Sequence, residues 1–174
     1  CIYTGILTDT GSFRFSSTTS KVHRIIAKLL DEGVKSEQIG KKIYESNSFD
    51  KLKLLGYCLS EKLEIICNGK AAYIVLTRKD LLSHNYRKGD TEGIVNYALS
   101  ILGVNLAVMI IETKDRIKFA FRSSGNFSVN KFANNHFNGG GHKNAAGGSI
   151  EDKLSVALKI FLKSVSKYEK ELNY

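Results

Sequence analysis

The sequence predicts an α/β fold read as two successive stretches, and three observations lead there. Up to about residue 60, apolar residues recur at the 3.6-residue spacing of helices packed on one side. From Leu63 onward, short apolar runs alternate with turn signals and with further helical stretches, which is the pattern of a sheet flanked by helices. Late in the chain, Gly139-Gly140-Gly141-His142 places three glycines in a row before a histidine. Such a run loses more backbone entropy on folding than any other, so something must require it.

The elements follow in order. Ile2 to Leu7 reads as a short buried strand ending at the polar turn Thr8-Asp9-Thr10-Gly11-Ser12-Phe13. A carboxylate and hydroxyls at the end of a strand sit where α/β proteins often place ligands. Ser16 to Ser20 supplies N-cap candidates for a helix with Val22, Ile25, Ile26, Leu29 and Leu30 inward, closed by Gly33. A second helix starts near Ser36, with Ile39, Ile43 and Tyr44 inward. A third runs from about Phe49 to Leu59, with Leu52, Leu55 and Leu59 as its stripe. Leu63 to Cys67 and Ala71 to Thr77 are strands around the hairpin signal Asn68-Gly69. Asp80 to His84 forms a turn of helix. Asp90 to Leu102 is amphipathic, with Ile94, Val95, Ala98, Leu99 and Leu102 inward and Gly103 as its stop. Ala107 to Glu112 and Arg116 to Arg122 pair across the turn Lys114-Asp115. Ser128 caps a short helix to Phe137, with Val129, Phe132, Ala133 and His136 on one face and Gly139 just past its end. Ala146 to Ile150 is a short strand, and Asp152 caps a final helix to about Leu172.

The glycine run admits two readings. Successive N–H groups in a turn form an anion-binding concavity, and His142 adds a further hydrogen-bond donor. Upstream, Arg122-Ser123-Ser124-Gly125-Asn126 offers a planar fork donor, hydroxyls and a glycine. The plainer reading is a glycine-rich turn before a buried strand, with small residues at a crowded packing site.

Composition narrows the function classes. The chain has 174 residues, 43% of them hydrophobic, with 8 Tyr and 9 Phe, so it buries a core and is not a disordered segment. The net charge is +9. It is spread along the chain: 9 basic against 6 acidic residues give +3 over 1–60, and 17 against 11 give +6 over 61–174. That balance suits a polyanionic ligand. Cys1, Cys58 and Cys67 show no zinc spacing and are expected as reduced thiols of a cytoplasmic protein. No apolar stretch approaches the length of a membrane span. The chain opens on Cys1 inside an apolar run, which reads as part of a longer protein.

The long pattern Phe121-Arg122-Ser123, Val129-Asn130, Gly139 to His142 and Ala145-Ala146-Gly147 resembles the substrate-binding DHHA1 domain of the DHH phosphoesterase superfamily. The resemblance implies a mixed β-sheet flanked by helices over 62–174, with 49–61 as a connecting helix. It implies that Arg122, Ser123, Gly139, Gly140, Gly141 and His142 bind nucleotide phosphate and sugar. Upstream, Gly5-Ile6-Leu7-Thr8-Asp9-Thr10-Gly11-Ser12-Phe13 is similar to the last metal-binding motif of the superfamily's catalytic domain. That makes 1–48 the C-terminal remnant of a catalytic domain. It makes Asp9 a catalytic residue and a ligand of a divalent pair, usually manganese, to which hard oxygen ligands are suited. Such a pair activates water and neutralises charge on the phosphoryl group. The family's earlier His-and-Asp segment, a further Asp and its Asp-His-His triplet are not among these residues. The resemblance therefore implies the substrate-binding C-terminal half of an enzyme, inactive by itself.

Asn47-Ser48-Phe49 and Leu52-Lys53-Leu54-Leu55-Gly56 agree with one cytosolic subgroup. Its members remove nucleotides from very short RNA and dephosphorylate 3′-phosphoadenosine 5′-phosphate. The implied partners are short RNA oligonucleotides or nucleotides, and a second copy in a homodimer. Two alternatives stand beside this. One is a nucleic-acid-binding module without chemistry, as in the C-terminal domain of alanyl-tRNA synthetase. The other is a cyclic or linear dinucleotide phosphodiesterase. Asp9 favours the phosphoesterase, because a pure binding module has no use for a metal carboxylate.

Overall fold

The computed structural model describes residues 1–15 and 17–173. The chain falls into two compact units, Cys1–Ser48 and Phe49–Tyr174.

The first unit holds three helices: α1 (Ile2–Asp9), α2 (Ser20–Asp31) and α3 (Ser36–Tyr44). The strand expected at Ile2 to Leu7 is therefore a helix. The unit's described residues include no strand, so an extended segment would leave its N–H and C=O groups unpaired. The helix satisfies them locally, with Gly5 N–H donating to Cys1 C=O at 3.0 Å and Thr10 N–H to Ile6 C=O at 3.1 Å. Of the N-cap candidates, Thr19 caps α2, accepting from Val22 N–H at 3.3 Å, while Ser16 lies outside the described residues. Gly33, at φ +86°, closes that helix as expected. Tyr44 does not point inward: it is 51% exposed, and its hydroxyl meets that of Ser12.

The second unit is a six-stranded sheet in the order β1-β2-β3-β4-β6-β5. The strands are β1 (Leu63–Ile66), β2 (Ala71–Leu76), β3 (Leu106–Glu112), β4 (Ile117–Ser123), β5 (Gly140–His142) and β6 (Ala145–Ile150). β2 and β3 run parallel and every other pair is antiparallel. The crossover between the parallel pair contains α5 (Arg78–Ser83) and α6 (Ile94–Leu99). The sheet is thus mixed and flanked by helices, as expected.

Strand alternation sorts side chains to two faces. On one, Leu106, Val108, Phe119 and Phe121 join Phe132 and Phe137, around α7 (Val129–His136), and Phe161 of α8 (Leu154–Ser166). On the other, Ile74, Leu76, Ala107 and Met109 meet Leu54 and Cys58 of α4 (Phe49–Glu61) and Ile94 and Ala98 of α6.

Three helical expectations change. α4 buries Leu54 and Cys58, four residues apart, and leaves Leu52 51% exposed. The small residues of the sheet, Ala72 and Ala107, admit that side of the helix. The helix expected over 90–102 shrinks to α6, because Gly93 at φ +84° interrupts it, and Leu102 is 100% exposed instead of inward. α8 ends at Ser166 and takes Lys153, not Asp152, as its N-cap. Asp152 accepts from Lys153 N–H at 2.6 Å without capping the helix.

Candidate functional site

The C-terminal end of β4, the β5–β6 hairpin and the start of α7 meet at one end of the sheet. Arg122 stands opposite Ala145 of β6, and Ala145 stands opposite His142 of β5. Residues in such a row are cross-strand neighbours. Two strand spacings separate Arg122 from His142, about 10 Å between backbones. One step back along β4 and β6, Ala120 pairs with Gly147, which is exposed. Arg122, Ala120, Ala145 and Gly147 lie on the face away from the phenylalanine cluster, so the guanidinium borders a floor of small side chains.

Arg122 is half-buried, and burial pulls its pKa down from the ordinary value. It donates to Phe121 C=O at 2.9 Å through Nη1. That leaves most of its five N–H donors for an anion. His142 is exposed, and among the described residues no hydrogen bond engages its ring.

The glycine run does not form the expected turn or concavity. It is an edge strand, Gly140–His142, paired to β6. Its glycines serve close approach of the chain to itself. A Cβ on Gly139 would sit 2.0 Å from Gly147 O, and one on Gly141, at φ +149°, 2.5 Å from Ala145 O. Gly148 faces Phe137 in the same way, at 2.7 Å. Gly140 is the exception, with Asn134 Oδ1 at 3.3 Å as the nearest atom. The residue past the end of α7 with positive φ is Asn138, not Gly139.

Ser123 is likewise committed to structure. It is buried, its Oγ donates to Phe127 C=O at 2.7 Å, and it accepts from Asn144 Nδ2 at 2.9 Å. Asn144 also donates to Gly125 C=O at 3.3 Å, and Lys143 Nζ to Asn126 Oδ1 at 3.3 Å. These contacts bind the 124–128 loop to the hairpin turn that follows His142, which holds the two halves of the site in register. Asn144 and Lys143 were legible only as neighbours of the glycine run.

Asp9 lies in the other unit. It is the last residue of α1, exposed, and followed by Gly11, Ser12 and Phe13, all at positive φ between 56° and 65°. Left-handed Ser and Phe are strained, and strain of this kind concentrates at functional turns. Among the described residues, no three His, Cys, Asp or Glu side chains group to hold a metal ion. One carboxylate does not make a two-metal site, so the residues present do not by themselves fit a manganese pair.

The most perturbed carboxyl is elsewhere. Burial alone would raise the pKa of Asp80. Hydrogen bonds from Thr77 Oγ1 at 2.6 Å, Tyr57 at 2.5 Å and Thr77 N–H at 2.8 Å, with Lys62 at 3.1 Å, hold it well below the usual carboxylate range. Both its oxygens are engaged, Oδ2 in the capping box that starts α5 and Oδ1 by Tyr57 of α4, so it is a structural anchor.

The DHHA1 domain family matches residues 68–171, which include β2 to β6 and the whole row from Arg122 to His142. The chain belongs to the DHHA1 family. It is 32% identical over 150 residues to the bifunctional oligoribonuclease and PAP phosphatase NrnA of Bacillus subtilis, covering 86% of this chain and 46% of that protein. The corresponding NrnA of Thermus thermophilus is 30% identical over 151 residues, covering 86% and 44%. This DHHA1 chain thus spans about half the length of the curated relatives it matches. A crystal structure of an exopolyphosphatase-related protein from Bacteroides fragilis superposes with a TM-score of 0.95 at 38% identity, over 100% of this chain and 51% of that one. A pGpG-specific phosphodiesterase from Vibrio cholerae, at 17% identity and a TM-score of 0.51 over 99% of this chain and 56% of that one, shares the fold. Among the described residues, no helix is long and apolar enough to cross a membrane.

Proposed function

We propose that this chain is the substrate-binding part of a cytoplasmic phosphoesterase. Its substrates are very short oligoribonucleotides and 3′-phosphoadenosine 5′-phosphate. The observation that carries this reading is the row Arg122–Ala145–His142 beside the small-residue floor. A guanidinium fork suits phosphate oxygens, and it does so better than a lysine. Beside that row the exposed Gly147 carries no side chain, which leaves room for a sugar or base against the sheet. The substrate class comes from the NrnA relatives, whose names state that activity.

Asp9 would supply one ligand to a manganese pair in the whole protein, where the metals would activate water. The rest of this chain binds and orients. Arg122 holds phosphate, His142 donates to phosphate or sugar, and the 139–141 backbone sets the distance between them. The isolated chain is expected to bind without turnover. The strained turn after Asp9 favours this reading over a binding module without chemistry.

The test is titration of adenosine monophosphate and a short oligonucleotide against the chain and its Arg122→Ala and His142→Ala variants. A charge-assisted contact contributes about 1.5–3 kcal/mol, so each variant should weaken binding at least about tenfold. If both fold and bind as the parent does, the nucleotide site lies elsewhere.

A further inference from the structure

Strand alternation places Lys118 on the same face of β4 as Arg122, with Ala120 between them. The register agrees. Lys118 stands opposite Ile111 of β3, which packs on the α4 and α6 side of the sheet, and opposite Ser149 of β6. On that side the helices cover β2 and β3, where Ile74, Ala107 and Met109 are buried. The cover thins over β4 and β6. Ala120, Ala145 and Ser149 are only partly buried, and Gly147 and Lys118 are exposed. β4 is nevertheless an inner strand, between β3 and β6. Lysine is depleted in strands, and this one has solvent in front of it. Arg116, one alternation further back, is paired with Glu151 at 3.7 Å. The other ion pairs among the described residues are Lys41–Glu37 and Lys62–Asp80, so Lys118 has no carboxylate partner among them.

Gly147 stands opposite Ala120, between the two cations, and the chain's own packing does not require it. Glycine inside a strand weakens the strand and often marks the close approach of a ligand or of a second backbone. At Gly139, Gly141 and Gly148 the approaching group belongs to the chain itself, within 2.0–2.7 Å of the position a Cβ would take. At Gly147 a Cβ would meet only Phe119 O, at 3.6 Å, an ordinary contact, and φ is not positive. The sheet face therefore drops to bare backbone in the middle of a stretch bounded by Arg122 and Lys118. Four residues of extended strand separate their Cα atoms by about 13 Å. Both side chains carry their charge on a long flexible stem, so the charges can close part of that distance over the glycine.

We propose that Lys118 binds a second phosphate, so that Arg122 and Lys118 hold the two phosphoryl groups of one ligand laid across Gly147. This rests on the reading that Arg122 binds nucleotide phosphate. A ligand with one phosphate satisfies one cation and leaves the other in water. A ligand with two satisfies both, whether it is a 3′,5′-bisphosphorylated nucleotide or a 5′-phosphorylated dinucleotide. Its sugar or base then passes over the bare backbone between them. Lys118 is a point charge without a fork, so it reads the presence of a second phosphate and not its orientation. A protein surface fits this stretch less well, because the stretch offers cations at both ends and no apolar side chain larger than alanine between them.

The test titrates adenosine monophosphate, 3′-phosphoadenosine 5′-phosphate and 5′-phosphorylated diadenylate against the chain, Lys118→Gln and Lys118→Arg. Glutamine keeps much of the stem and removes the charge. A charge-assisted contact at an exposed site lies at the lower end of its range, about tenfold in affinity. The parent should therefore bind at least one of the two-phosphate ligands about tenfold more tightly than the monophosphate. Lys118→Gln should lose that preference while keeping the parent's affinity for the monophosphate, and Lys118→Arg should retain the preference. Preference for the bisphosphate alone would put the second phosphate on the same nucleotide, and preference for diadenylate alone would put it on the next; either supports the contact. A parent that does not distinguish the three ligands would overturn the proposal. So would a preference that survives in Lys118→Gln, or equal losses for all three ligands, which would make Lys118 a source of general attraction only. Gly147→Val, which the strand packing admits, should weaken both two-phosphate ligands; a folded variant that binds them as the parent does would overturn their placement across Gly147. Arg122→Ala is the control for the underlying reading. If it leaves monophosphate affinity unchanged, the candidate site fails, while the response of Lys118→Gln to the second phosphate still decides this contact.

Discussion

Alanine placed at each glycine of the 139–141 run in turn should give three different results. At Gly139, the new Cβ would lie 2.0 Å from Gly147 O and 2.6 Å from Gly148 Cα. Both are backbone atoms of the neighbouring strand and cannot rotate away. Overpacking of this kind costs about 1–3 kcal/mol, and rigid backbone contacts fall at the upper end. At Gly141, contacts of 2.5 Å and 2.8 Å to Ala145 O and Ala146 Cα combine with φ +149°, so the cost should again be about 3 kcal/mol. At Gly140 the nearest atom is the Asn134 side-chain oxygen at 3.3 Å, and φ is not positive. Alanine there also removes freedom from the unfolded chain, which stabilises by about 0.4–1 kcal/mol, so the net change should lie within about 0.5 kcal/mol. For a unit of this size, 1 kcal/mol moves Tm by about 4 °C. Thermal unfolding followed by far-ultraviolet circular dichroism should show Gly139→Ala and Gly141→Ala melting about 10 °C low and Gly140→Ala near the parent. If Gly139→Ala and Gly141→Ala melt within about 2 °C of the parent, the glycines are not there for strand packing. Adenosine monophosphate titration adds a second reading. Gly140→Ala that folds normally but binds about tenfold more weakly would place ligand against the backbone at 140.

Asp80→Asn should cost about 2 kcal/mol near neutral pH. The carboxyl is held below its unfolded value of about 4, so its contribution is complete above that pH and drains away as pH falls. Denaturant titrations from pH 7 to 3 should therefore show a shallower acid loss in the variant than in the parent. Ser123→Ala strands the Phe127 carbonyl and should lower stability by about 1–2 kcal/mol, yet leave mononucleotide affinity intact in a fold that remains assembled. Arg122→Lys should recover little of the binding lost in Arg122→Ala, because a point charge does not replace a fork. In the whole protein, Asp9→Asn should remove most manganese-dependent hydrolysis of 3′-phosphoadenosine 5′-phosphate while the circular dichroism spectrum stays unchanged.

Local chemistry made several elements legible. Ser128 carries an oxygen that caps α7, Asn68-Gly69 turns the first hairpin, and Gly33 ends α2, each by a preference confined to a few neighbouring residues. The alternating strands of the second unit could be read because a two-sided core demands period two. The helix at Ile2–Asp9 could not, since a short apolar run suits strand and helix equally and the presence of a partner strand decides. In α4, leucines on two sides compete, and the alanine-lined sheet selected Leu54 and Cys58.

The sequence by itself determined the family pattern, the basic balance and the presence of Arg122, His142 and the glycines. Tertiary structure alone decided what those residues do to one another. Strand register, which no local preference encodes, set Arg122 and His142 on either side of Ala145. It turned the glycine run into an edge strand and buried the Ser123 hydroxyl in a loop lock. The physical reason is that a cross-strand contact joins residues far apart in the chain, and its geometry exists only once the ladder and the two helical layers have closed around it.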